Sequence, residues 1–221
     1  MQDSEQDCPY RCKVIANTAI AHNVHYLTFS KPFEFESGQV ISLTLSNDIE
    51  PRLYSIASGV GEDHLGILFD VKEDGALTPK LATLAPNDVV RISAPFGSFL
   101  ATSDPAVWVA TGTGVAPFIS MVKSGFGNNK LLIQGSRTLE GFYFAPLFEE
   151  VLQERYVRCS SQEKLGEIYH GRLTTYLNSA ATLPLTEKYY LCGNPLMVNE
   201  VRDILIAKGV PFDNILSEIF F

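Results

Sequence analysis

No apolar run in the 221-residue chain reaches the ~18–20 residues that a helical span of a bilayer needs, so no membrane span is expected. The first residues, MQDSEQDCPYRCK, are polar and acidic. They lack a basic start followed by an apolar stretch, so a secretory leader is not expected either. Cysteine is scarce, with four residues at positions 8, 12, 159 and 192. Cys8 and Cys12 form a lone C-x3-C with no second pair to complete a zinc or iron–sulfur site. Free thiols in a reducing cytoplasm are the expectation, with no metal. Positive charge is short as well: 17 Lys and Arg against 25 Asp and Glu, a formal net charge of −8. This balance argues against nucleic acid as a main partner, although a local basic patch is compatible with it. Internal repeats and low-complexity segments are absent.

What is present is ample apolar material. The chain is 46% hydrophobic and 19% charged, enough to bury a core and too apolar for disorder. Its pattern changes near residue 103. Before that point, short strands are predicted over 10–18, 23–30, 39–46, 52–57, 64–72 and 88–94, separated by SKP, ESG, SGVGED and APND. Six short strands at this spacing suggest a small antiparallel barrel. A short helix fits 78–84, with Thr78 as N-cap and Pro79 at the first helical position. After SDP (103–105), strands and helices alternate. Strands are expected over 106–110, 130–135, 156–160, 188–192 and the NILSEIF stretch. The helices fall after GTGVAP and in APLFEEVLQER, GRLTTYLNSA and PLMVNEVRDILIAKG. This alternation predicts a doubly wound parallel sheet covered by helices on both faces. Two domains follow, 1–102 and 103–221.

Several stretches carry residues that a plain core does not need. In PRLYSIAS (51–58), Arg52 and Tyr54 share one face of an ideal strand, and Leu53 and Ser55 the other. Arg52 offers a fork for a phosphate, Tyr54 a flat ring and Ser55 a hydroxyl. A surface arginine, a cross-strand tyrosine and a chance serine would read the same way. EDGALTPKL (73–81) places Gly75 and Thr78 before a helix start, either a phosphate seat or an ordinary capped helix. ATGTGVAPF (110–118) follows a strand and opens a helix. Gly112 and Gly114 permit a tight turn and close backbone approach by a ligand. An ordinary Gly-rich strand–helix turn has the same appearance, and no third glycine completes the six-residue dinucleotide fingerprint. YLCGNPLMV (190–198) repeats the arrangement: Cys192 ends a strand, Gly193 turns the chain and Pro195 starts a helix. Cys192 is either a gap-filling core residue or part of a crevice beyond the strand ends. No histidine is patterned with it, so a cysteine-nucleophile enzyme is not indicated.

The order of these motifs is more specific than any one of them. A barrel with R-x-Y-S, then G-x-x-[ST] before a short helix, then G-T-G-x-A-P, then C-G-x-P-x-M resembles the ferredoxin–NADP⁺ reductase superfamily, from about Tyr10 to the end. The resemblance implies a flavin barrel holding FAD and a second domain binding NADP or NAD. Hydride then passes between NAD(P)H and the flavin, and the protein supplies distance, orientation and field. Carried over residue by residue, Arg52 would bind flavin phosphate, with Leu53 beside it on the strand. Tyr54 would stack on the isoalloxazine, and Ser55 would hydrogen-bond near N5. Val71 and Lys72 would run along the ribityl and phosphate chain. Gly75, Ala76, Leu77 and Thr78 would close over the pyrophosphate. Thr111, Gly112, Thr113 and Gly114 would meet the nicotinamide end and pyrophosphate of NAD(P)H. Cys192, Gly193 and Pro195 would line the nicotinamide site, with Met197 behind them. The ending SEIFF resembles the family's glutamate–x–aromatic terminus. Glu218 would lie near the flavin edge, towards Ser55, relaying protons. Phe220 or Phe221 would shield the flavin face. Catalysis would then rest on Ser55, Cys192 and Glu218.

Coenzyme choice is read from two stretches. NADPH-preferring members often carry Ser-Arg after the third strand of this domain, whereas here CSSQE (159–163) has Gln162 at the arginine position. Glutamine brings no permanent charge. Ser136 and Arg137, at the preceding strand's end, offer an alternative grip on a 2′-phosphate, and Arg172 is another cation nearby. NADPH is the expected coenzyme on that basis. The implied partner is a ferredoxin, a flavodoxin or an oxygenase component. Two other activities share the motifs: reduction of free flavin or quinone, and a non-catalytic flavin-binding electron-transfer subunit. The pyrimidine-synthesis version of the latter needs a C-terminal cysteine cluster, which Cys159 and Cys192 do not make.

Overall fold

In the computed structural model, which describes residues 8–219, all six strands predicted before residue 103 form. They are β1 (Tyr10–Ala21), β2 (Val24–Ser30), β3 (Val40–Thr44), β4 (Arg52–Ser55), β5 (His64–Asp70) and β6 (Val89–Ile92). All pair antiparallel, in the order β4-β3-β6-β1-β2-β5. Period-2 alternation turns Leu27, Phe29, Ile41, Leu43, Ile67, Val90 and Ile92 inward, where each is fully buried. A bridge between Ile56 and Ile67 joins the end of β4 to β5 and closes the sheet on itself.

The short helix α1 (Thr78–Ala82) contributes Leu81 to that core, with Leu77 just ahead of it. It ends sooner than the sequence predicts, and Thr78 is not its N-cap. Leu77 stands at the cap with no side-chain capping bond. The Thr78 hydroxyl instead accepts the Lys72 N–H at 2.8 Å, which staples the 72–78 loop.

This first compact unit consists of the chain up to Ala101 together with Ala116–Ser124. The latter stretch holds helix α2 (Ala116–Lys123), buried along almost its whole length. Ser124 Oγ accepts the Val60 N–H at 2.9 Å, and Lys123 Nζ lies 3.1 Å from Glu62 Oε1.

The second unit, Thr102–Val115 with the chain from Gly125 onward, is built on a parallel sheet. Its strands are β7 (Ala106–Thr111), β8 (Lys130–Ser136), β9 (Tyr156–Ser160), β10 (Tyr169–His170), β11 (Lys188–Cys192) and β12 (Ile215–Glu218). The order is β10-β9-β8-β7-β11-β12. β10 was not foreseen, because two residues show no period. Helices α4 (Leu173–Ser179) and α5 (Pro195–Ala207) cover the face carrying Val107, Val109 and Ile133. Helix α3 (Ala145–Leu152) packs on β8 and β9, with Phe148 against Tyr156 at a ring separation of 5.5 Å. The helix expected to reach Arg155 stops at Leu152, where Gln153 takes φ +53° and the last residues form a 3₁₀ turn. Among the described residues, no helix is long and apolar enough to cross a membrane.

Candidate functional site

In the first unit the residues of interest lie on β4 and in the loop that follows β5. Arg52 pairs with Leu43 and Tyr54 with Ile41, so both lie on the core-bearing face of the β3–β4 pair. Tyr54 packs against the barrel core. Burial pushes its phenol well above the usual tyrosine range, with Arg52 pulling weakly the other way. Arg52 pairs with Glu50 at 3.1 Å, and both side chains are more than half exposed. Such a surface pair is worth only ~0–1 kcal/mol, so a phosphate can displace it at little cost.

Ser55 pairs with Val40 on the opposite face, as ideal alternation requires. It is also the last residue of its strand. Beyond it the Ile56 N–H donates to Gln39 O and the Ala57 N–H to Gly66 O, so the chain leaves β3 and joins β5. The hydrogen-bonding partner of the chain thus changes directly after Ser55. Ser55 is 6% exposed, and its hydroxyl makes no hydrogen bond with any described residue.

The 72–78 loop lies beyond β5. The Gly75 N–H donates to Lys72 O at 2.8 Å and sets the turn. Val71 and Leu77 anchor its two ends in the barrel core, while Ala76 is exposed between them. Lys72 Nζ pairs with Asp70 at 2.5 Å on the surface.

In the second unit, β7 and β11 lie side by side, and their C-terminal ends bring the two glycine motifs together. The glycines divide the work. Gly112 has φ +57°, and a Cβ there would meet open space. Gly114 is different: a Cβ would lie 2.4 Å from the Gly193 backbone. Its bareness serves the fit of one turn against the other, whereas Gly112 leaves the turn open to a ligand. Gly193 itself has φ +136°, and a Cβ there would strike the Thr111 hydroxyl at 2.5 Å.

Thr111 Oγ1 accepts the Asn194 N–H at 3.1 Å. Asn194 Oδ1 in turn caps α5, accepting from Leu196 N at 2.9 Å and Met197 N at 3.4 Å. Asn194 was missed as a site residue, although Asn-Pro before an apolar helix is a legible start signal. Pro195 is half-buried, and Met197 is buried in the core behind the turn.

Cys192 sits at this strand end, 1% exposed, in register with Glu218 on β12. Burial, and then the Glu218 carboxylate, push the thiol far up. The Gly193 backbone offsets this in part, so Cys192 stays protonated.

At the neighbouring strand ends, the loops after β8 and β9 are stitched together. Ser161 N donates to Ser136 O at 3.1 Å, and Gln162 N and Ser160 Oγ donate to Arg137 O. Glu163 Oε2 accepts the Leu139 N–H at 2.6 Å. The Arg137 side chain is exposed and makes no ion pair among the described residues. Arg172 pairs with Glu200 at 2.7 Å. Phe220 and Phe221 lie outside the described residues.

Comparison with known proteins agrees with this division of motifs. Residues 11–100 match the model of the oxidoreductase FAD-binding domain, and residues 108–203 that of the oxidoreductase NAD-binding domain. The flavodoxin/ferredoxin–NADP reductase of Shigella flexneri is 31% identical over 193 residues, covering 76% of this chain and 77% of that protein. The phenol hydroxylase P5 protein of Acinetobacter pittii is 29% identical over 88% of this chain, which spans only 60% of that relative's length. The fold matches the crystal structure of a ferredoxin NADP⁺ reductase from Neisseria gonorrhoeae with bound FAD and NADP. That match has a TM-score of 0.85 at 20% identity and covers 95% of this chain and 97% of the other. With motifs, fold and relatives in agreement, the chain belongs to the ferredoxin–NADP⁺ reductase superfamily of FAD- and NAD(P)-binding oxidoreductases.

Proposed function

We propose that the protein is an FAD-dependent NAD(P)H oxidoreductase that exchanges electrons with a ferredoxin, a flavodoxin or an oxygenase component. In this reading residues 1–102 serve the flavin and 103–221 the nicotinamide coenzyme. The observations that carry it are the Ser55 hydroxyl at the end of β4, which has no hydrogen bond to a described residue, and, in the other unit, an open Gly112 turn beyond a parallel sheet. Both suit cofactors of the expected kind. A hydroxyl with no partner among the described residues is available to a ring heteroatom, and a bare left-handed turn admits a pyrophosphate. The partner reading draws on the Shigella and Acinetobacter relatives, whose names specify flavodoxin or ferredoxin and phenol hydroxylase.

The bound flavin supplies the chemistry, accepting hydride from the nicotinamide and passing electrons on. The chain supplies the seat. Tyr54 gives a ring to stack on, Arg52 a charge for phosphate, Ser55 a hydrogen bond, and the 72–78 backbone a closing loop with Gly75, Ala76, Leu77 and Thr78. Leu53, Val71 and Lys72 flank that seat. Thr111, Gly112, Thr113 and Gly114 receive the coenzyme, with Gly193 and Pro195 opposite and Met197 holding the turn from behind. Cys192 packs as a neutral thiol, and Glu218 relays protons. Ser136 and Arg137 favour the 2′-phosphate of NADPH. Four free, buried thiols fit a reducing compartment, the cytoplasm.

The deciding experiment is anaerobic stopped-flow mixing of the flavin-loaded protein with NADPH or NADH. Flavin absorbance near 450 nm should bleach within the mixing experiment, faster with NADPH. A flavin that neither coenzyme bleaches would sink the enzyme reading.

A further inference from the structure

Asn17 lies on β1, beyond the point where β1 leaves β6, and pairs only with Leu27 of β2 there. Its side chain does something unusual for a polar strand residue. Nδ2 lies 2.9 Å from Leu81 O, 3.2 Å from Ala82 O and 3.1 Å from Leu84 O. These are carbonyls of the last turn of α1 and the chain just past it. A helix leaves such carbonyls without partners, and a five-residue helix cannot hold its shape by its own bonds. Asn17 therefore caps α1 from outside.

His25 completes the arrangement. Its Nδ1 lies 3.0 Å from Asn17 Oδ1. With Nδ2 turned to three carbonyls, Oδ1 faces the imidazole, so Nδ1 carries the proton and the amide has one orientation. The His25 ring stacks on Phe69 with centroids 5.4 Å apart and planes 16° from parallel. Phe69 is 2% exposed in the barrel core. A chain of contacts thus runs from the core, through His25 and Asn17, to the C-terminal end of α1.

The other end of that helix carries the 72–78 loop. The Thr78 hydroxyl holds Lys72 N, Leu77 is rooted in the core, and Leu77 O accepts from Lys80 N and Leu81 N. Loop and helix are thus joined by hydrogen bonds and core contacts, and Asn17 bonds to the helix's far end.

We infer that Asn17, oriented by His25, is a positioning residue for the loop that holds the flavin's pyrophosphate. The inference rests on the flavin-seat reading of residues 72–78. Neither residue touches the cofactor in this scheme. They set where the loop backbone stands, so they govern affinity for the diphosphate part of FAD and leave the ring's seat on Tyr54 alone.

The test compares FAD with riboflavin, which has the ring and no phosphate. The full chain, freed of flavin, is titrated with each by fluorescence. Wild type should bind FAD the more tightly. Asn17→Asp keeps the shape but turns an acceptor onto three carbonyls. It should weaken FAD by ~10-fold or more, about 1.4 kcal/mol, and change riboflavin by less than about 2-fold, or ~0.4 kcal/mol. His25→Phe keeps the stack on Phe69 and removes the donor to Oδ1. It should weaken FAD several-fold with the same selectivity, and it decides the matter alone if Asn17→Asp does not fold. Parallel weakening of FAD and riboflavin, or unchanged FAD affinity in the variants, overturns the inference. A wild-type chain that does not prefer FAD to riboflavin overturns the flavin-seat reading as well, which separates the two failures.

Discussion

A Cβ placed on Gly114 would lie 2.4 Å from both N and Cα of Gly193. The two glycine motifs are thus halves of one contact, made where β7 and β11 end side by side. Gly114→Ala must push the turns apart, and overpacking of this kind costs ~1–3 kcal/mol. A loss of that size corresponds to roughly 2–12 °C in Tm for a chain of this length. The displaced turn should also raise KM for NAD(P)H with flavin content unchanged. Thermal melts and steady-state kinetics check both. Wild-type stability and KM would mean that the contact yields freely.

Tyr54 and Ser55 separate binding from chemistry. Tyr54→Ala removes the ring against which the isoalloxazine would pack. Base–aromatic stacking, a comparable contact, is worth ~1–3 kcal/mol. Flavin retention through purification should fall, read as the absorbance ratio of flavin to protein. Ser55→Ala should keep the flavin and slow its reduction by NADPH. Full occupancy and full activity in Tyr54→Ala would refute the assignment of this strand.

The barrel strands were legible because alternation of apolar residues fixes both the strand and its buried face, as with Leu27, Phe29, Ile41 and Leu43. The motif glycines were legible as turns, but their separate duties were not. Gly114 needs to be bare because of Gly193, a neighbour only in the folded sheet. Thr78 illustrates a competing partner: its hydroxyl suits an N-cap by type, yet the Lys72 N–H captured it. Asn17 was invisible. The carbonyls it caps lie 64 to 67 residues along the chain, and nothing local marks a strand asparagine as a helix cap.

Arg137, in the stitched loops after β8 and β9, is exposed and makes no ion pair among the described residues. If it grips a 2′-phosphate, Arg137→Ala should cut kcat/KM for NADPH by ~10–100-fold, or about 1.4–2.7 kcal/mol. NADH turnover should change by less than about 2-fold, or ~0.4 kcal/mol. Equal losses with both coenzymes would remove the residue from coenzyme choice. A wild-type preference for NADH by ~100-fold, about 2.7 kcal/mol, would overturn the NADPH assignment itself.

Cys192 should act by packing and not by ionisation. Its thiol is pushed up by burial first and by Glu218 second. The flavin-reduction rate should therefore show no thiol inflection between about pH 6 and 9, the range where an unperturbed cysteine begins to ionise. Cys192→Ala should slow hydride transfer by ~10-fold or more, at least about 1.4 kcal/mol of activation free energy, with flavin still bound. Rapid alkylation of Cys192 by iodoacetamide at pH 7.5 would contradict the buried, neutral thiol.

The buried thiols also bear on stability at alkaline pH. Cys12 is pushed up to about 11 by burial, against a weaker lowering by its hydrogen bond with Ser30. Burial pushes Cys159 up to about 12. In the unfolded chain such thiols ionise near 8.5. Above that pH the unfolded state loses protons that the folded state keeps, so stability falls as pH rises. Each thiol contributes up to ~1.4 kcal/mol per pH unit between its unfolded and folded values. Below pH 8 both states hold the protons, and these groups add no slope. Tm should therefore be level with respect to these thiols up to about pH 8 and decline between about pH 9 and 11, where unfolded thiols ionise. A Cys12→Ala, Cys159→Ala double variant, measured at fixed ionic strength, should show a shallower decline. An unchanged slope in that variant would place the alkaline transition on other groups, such as the buried tyrosines Tyr156 and Tyr189.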